Sequence, residues 1–152
     1  MQNVVILEAV LFGEVEAMQD NKWKYKVDLV SDDLFFDIEA QYDITFPKEL
    51  KVFIINTNGA TPEKYKIQIG NKERVYAATL SFNKNEKEPD VDKAESIIPT
   101  FSKTNLIPFG KDPFGNYFCY DLKTNTVVFF DNECEETTQS NKTINEFIDN
   151  FY

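Results

Sequence analysis

The chain has 152 residues, 26 acidic against 16 basic for a formal net charge of -10, with 14 Phe, 7 Tyr, one Trp, two cysteines and no histidine. That length suits one domain, residues 1–152, burying about 70% of the surface its unfolded chain exposes around a ring-rich core, and low-complexity disorder is excluded. The acidic field repels phosphate backbones and anionic bilayers, so neither nucleic acid nor a membrane is an expected partner, whereas encounter with a basic protein surface is accelerated.

Without histidine the chain lacks the commonest general base and the commonest nitrogen ligand of zinc. Cys119 and Cys134 read as reduced thiols of a cytoplasmic protein, because a chain of this size builds its core without disulfides. The apolar run Val4 to Phe12 is broken by Glu8 and too short to cross a bilayer. It also lacks the basic start and cleavage site of a signal peptide.

Along the chain, residues 4–18 fit either a strand pair or a helix interrupted at Gly13, and both readings stay open. Trp23, Tyr25 and Val27 alternate with lysines as a strand does. Ser31 followed by Asp32 and Asp33 reads as a helix start, with Leu34, Phe35, Ile38 and Tyr42 on the core face. Phe36 points the other way, among Asp32, Glu39 and Asp43. Pro47 opens a second helix carrying Leu50, Phe53 and Ile54, and Asn58-Gly59 caps its end.

Residues 65–69 and 75–82 read as strands joined by Gly70-Asn71, and residues 83–89 as a charged surface loop. Val91, Ala94 and Ile98 have helical spacing, and Pro99 is expected to end that helix. Strands follow at 106–109, 116–121 and 126–131. Ile144, Phe147, Ile148 and Phe151 form an amphipathic final helix, with Thr143 and Glu146 as a capping box. This order predicts an α+β fold, a central and mainly antiparallel sheet flanked by helices.

Asp112-Pro113-Phe114-Gly115 matches a type I turn and needs no function. Residues 117–120 are apolar on both alternating faces, which predicts a central strand and makes Cys119 a buried hydrophobe, not a nucleophile. Asp112 to Asn116 lacks the calcium-loop spacing, and Asp131 to Glu136, with four carboxylates, reads as a solvated loop with at most weak cation binding. Asn141-Lys142-Thr143 is a glycosylation sequon that a cytoplasmic chain never presents to the machinery. No cofactor or metal site is expected.

Trp23, the helix leading to Phe46-Pro47 with Leu50 and Phe53 behind it, Asn58-Gly59, Leu106 to Gly110, Asp112 to Asp121 and the final Phe147-Ile148 resemble the SUKH superfamily of bacterial immunity proteins and fungal cell-wall assembly regulators. The resemblance covers about 23–152 and leaves residues 1–22 as an extension. It implies an α+β fold, no enzymatic activity and, in many bacterial members, neutralisation of a cognate toxin that is often a nuclease. Pro47, Asn58, Gly59, Gly110, Gly115 and Asp121 match its recurring residues, which look structural. The leading expectation is therefore a non-enzymatic immunity protein that binds a basic toxin domain. An intracellular scaffold or adaptor, and a small-ligand binder, are the alternatives. The expected contact residues are Asp32, Phe36, Glu39 and Asp43, an aromatic ring amid carboxylates, together with Asp112 and Asn116 on the rim of the 112–115 turn. Phe36 serves as that anchor only if the N-terminal extension leaves it uncovered.

Overall fold

The computed structural model describes residues 21–31, 33–84 and 92–152. The alternatives for residues 4–18 and the expectations for Asp32, for residues 85–89 of the loop and for Val91 lie outside them.

Helix α1 (Asp33–Tyr42) follows its apolar stripe: Leu34, Phe35 and Ile38 are buried, and Phe35 meets Phe46 and Phe82 at ring separations of 4.9 and 5.6 Å. Helix α2 (Lys48–Thr57) starts after Pro47 and stops at Asn58, where Gly59 takes the left-handed φ of 68° and Ala60 donates its N–H to the Thr57 carbonyl. It is buried at Leu50, Val52, Phe53, Ile54 and Ile55, which makes it the central helix of the fold.

Two short ladders precede the main sheet. Strand β1 (Trp23–Lys24) pairs antiparallel with β2 (Thr61–Pro62), and β3 (Lys66–Ile69) pairs with β4 (Lys72–Val75) across the Gly70-Asn71 turn. The main sheet is an antiparallel meander in the order β5 (Ala78–Thr79), β6 (Leu106–Lys111), β7 (Tyr117–Asp121), β8 (Thr126–Asp131) and β9 (Glu136–Gln139). Helix α3 (Ala94–Ile97) runs into a 3-10 turn (Ile98–Phe101) before β6, and α4 (Ile144–Asp149) closes the chain with the Thr143/Glu146 capping box formed.

Strand alternation sends Ile107, Phe109, Phe118, Tyr120, Val127 and Phe129 into one large core that they share with α2 and α4. Cys119 and Val128 face the other way into a smaller cluster under Phe101. Strand β7 is thus covered on both sides, as its unbroken apolar run predicted.

Tyr76 sits at the centre of the large core. Its ring lies within 5.0 to 6.5 Å of the rings of Trp23, Phe53, Phe109, Phe118, Phe147 and Phe151. The hydroxyl is 2.7 Å from Thr79 Oγ1, which donates to Thr57 Oγ1 at 3.0 Å, which in turn donates to the Phe53 carbonyl at 2.8 Å. Each hydroxyl has one proton, so Tyr76 must be the donor to Thr79. Burial raises its pKa far above the ordinary phenol value and keeps that proton in place.

Before β6, four details depart from the sequence reading. Tyr25 adopts a left-handed φ of 67° and ends β1 after two residues, so Val27 is held by Asn58 instead of a neighbouring strand. The two-residue turn fixes the register Ile69↔Lys72, so the second strand of that hairpin is 72–75 and not 75–82. Pro99 does not end α3 but sits in the first turn of the 3-10 continuation, where its missing N–H costs nothing. Asn83, expected on a loop surface, is buried and bonds Val30 N and the Asp28 carbonyl.

A Cβ on Gly110 would lie 2.4 Å from Tyr76 Cε2, so Gly110→Ala is expected to cost about 1–3 kcal/mol in urea unfolding. The increment should shrink when Tyr76 is shortened to Leu in a double-mutant cycle; equal increments in both backgrounds would refute the contact. Asn58→Ala leaves the buried Phe82 N–H and Val27 carbonyl without their side-chain partner, a loss of about 2–4 kcal/mol by the same measurement.

Candidate partner-binding site

Two surfaces combine exposed rings with carboxylates. The first is the outer face of α1. Phe36 is 49% exposed there, so its helical phase was read correctly. Glu39, by contrast, turns inward: Oε2 accepts the Phe46 N–H at 2.7 Å and lies 3.8 Å from Lys51 Nζ, fixing the connection between α1 and α2. Asp37 is engaged by Lys84. Asp43 is exposed, with a left-handed φ of 52° that ends the helix. It stands at the rim of a groove of about 320 Å³ between the end of α1 and the 3-10 turn, lined also by Tyr42, Phe101, Lys103 and Leu106. The structure thus leaves Phe36 and Asp43 at the surface, two helical turns apart, and draws Glu39 away from them.

The second surface is the end of the main sheet where the β6–β7 and β8–β9 turns meet. Asp112 is only 5% exposed, so it does not form the rim of its turn but its interior. One carboxylate oxygen accepts the N–H groups of Phe114 and Asn116 at 2.9 and 2.8 Å, and the other accepts Asn116 Nδ2 at 2.9 Å. Asn116, half-buried, accepts the Asn132 N–H at 2.9 Å and ties the two turns together. The ring this scaffold presents is Phe114, 81% exposed. Sequence reasoning assigned the turn and overlooked its ring; the third position of a tight turn, pointing to solvent, was the available signal.

The one exposed thiol on these two surfaces, Cys134, has its pKa raised by desolvation and by the neighbouring Asp131 and Glu136 carboxylates, which disfavours the thiolate that a catalytic nucleophile needs. Burial holds the Cys119 thiol well above its ordinary value. Tyr120 Oη donates to Glu49 Oε1 at 2.7 Å, joining β7 to the first turn of α2. Burial and that carboxylate both raise the phenol's pKa, so the proton stays on Tyr120 at neutral pH. Among the described residues Asp112 is the one buried carboxylate, spent on its own turn, and no three His, Cys, Asp or Glu gather to hold a metal. Also among the described residues, no helix is long and apolar enough to cross a membrane.

The fold thus arrived at is a five-stranded antiparallel meander packed on two short helices. No curated protein sequence matches the chain. Residues 29–150 match the SMI1 / KNR4 family (SUKH-1), and the chain belongs to that family.

Proposed function

We propose that this chain is a non-enzymatic immunity protein of the cytoplasm that binds a basic toxin domain, often a nuclease in this family, and blocks its active site. The observation that carries the reading is the charge of -10 on a member of the SMI1 / KNR4 family (SUKH-1), taken with the resemblance to bacterial immunity proteins. A nuclease holds its substrate phosphates in a basic cleft. An acidic protein is steered to that cleft and competes for the same cations. Exposed rings at Phe36 and Phe114 offer the desolvated contacts that steering alone does not supply. Two unpaired thiols fit a reducing compartment.

On this reading, Phe36 and Asp43 are available for direct contact, Glu39, Asp112 and Asn116 act by holding the surface in shape, and Asp32 lies outside the described residues. The natural probes are candidate toxin domains co-expressed with this chain, beginning with the products of neighbouring genes. Co-expression should restore growth to cells poisoned by one of these domains, and the purified pair should associate about tenfold more slowly at 0.5 M than at 0.05 M salt. Asp43→Lys should slow association severalfold while leaving dissociation almost unchanged. A chain that neither protects cells from these domains nor binds any of them would be an adaptor without a toxin.

A further inference from the structure

We propose that the joined β6–β7 and β8–β9 turns are the surface that seats on the toxin, with Phe114 as the anchoring side chain entering an apolar pocket rimmed by basic residues. This rests on the toxin-binding reading and names the part of the molecule that carries it.

Phe114 is the most exposed phenylalanine among the described residues, at 81%, and among those residues no ring pairs with it. A phenylalanine at such a position gains nothing for the fold, whereas a large rigid ring that becomes desolvated is the usual centre of a binding surface. Its backbone is already fixed. Besides the Asp112 side-chain bonds, the Asp112 N–H donates to the Asn116 carbonyl at 3.0 Å, so docking pays little to order this loop. Beneath the tip, the half-buried rings of Tyr117 and Phe130 lie opposite each other in the β7–β8 register and pack on Phe101, extending the apolar surface down the sheet.

Charge selects the partner. The adjoining turn contributes Asp131, Glu133, Glu135 and Glu136 with no cation among them, and its shape is set by Asp131 Oδ1 accepting from the Glu133 and Cys134 N–H groups. Those bonds hold the Asp131 carboxyl below its ordinary value, with Arg74 adding a smaller pull, so it stays ionised. Lys111, the cation at the base of the first turn, is paired with Asp92 at 3.0 Å. A second copy of this chain would bring like charges together, and a nucleic acid would be repelled. A basic protein surface with an apolar pocket fits both features.

Cys134, exposed within this tip while Cys119 is buried, supplies a reporter. The probe is a catalytically inactive form of a toxin domain that this chain neutralises on co-expression. Its binding should protect Cys134 from iodoacetamide, and Phe114→Ala should weaken affinity at least about tenfold with the thermal midpoint unchanged. Glu133→Lys with Glu135→Lys should slow association, and Phe36→Ala, at a contact outside the tip, should weaken affinity less than Phe114→Ala does. Failure of the unaltered chain to bind would overturn the toxin reading and the tip with it. Tight binding that survives Phe114→Ala, or that Phe36→Ala abolishes, would overturn the tip alone. Self-association of the chain by sedimentation, lost in Phe114→Ala, would assign the ring to a second copy and refute the proposal.

Discussion

The fold depends on the approach of the Tyr76 ring to the backbone of Gly110. No side chain fits between them, since a Cβ at Gly110 would lie 2.4 to 2.6 Å from three Tyr76 atoms. This contact lets the segment after the β3–β4 hairpin lie across the main sheet, and the irregular register between Pro108 and Gly110 in β6 falls where the ring comes down. Around it, edge-on rings from β1, α2 and α4 and a tilted ring from β7 close the core. The hydroxyl relay through Thr79 and Thr57 satisfies the buried oxygens and joins β5 to the last turn of α2.

Asparagines tie the outer chain to this centre. Asn21 exchanges two bonds with the Lys64 backbone, Asn58 links Val27 to Phe82, and Asn83 links Asp28 to Val30. An amide side chain donates and accepts at once, so each can replace a missing strand partner. That is why the irregular segment 25–30 keeps a defined course without belonging to a sheet.

The same separation of roles extends to the surface. Carboxylates that looked free in the sequence divide into those spent on the fold, Glu39, Glu49 and Asp112, and those left to set the external field. The first group fixes loops and helix ends; the second gives the molecule its acidic character. A binding protein of this kind can keep its exposed rings because a rigid frame displays them singly, which avoids the broad apolar patch that promotes aggregation.

Much of the fold was legible in the sequence, because helical and strand periodicity survive wherever one face is buried: α1, α2, α4 and the strands β6 to β8 followed their apolar patterns. Strand β9 was missed, since Glu-Thr-Thr-Gln at an edge has no apolar face and is defined only by its bonds to β8. Of the expected contact residues, the sequence by itself determined the outward phase of Phe36 and the turn around Asp112. Only the tertiary structure decided that Glu39 serves the backbone and that Phe114 stands free. The physical reason is that a carboxylate's role depends on which N–H groups lie within about 3 Å of it: for Asp112 these come from its own turn, but for Glu39 the Phe46 N–H is brought near by the packing of α1 against α2, and solvent exposure such as that of Phe114 follows from the whole fold.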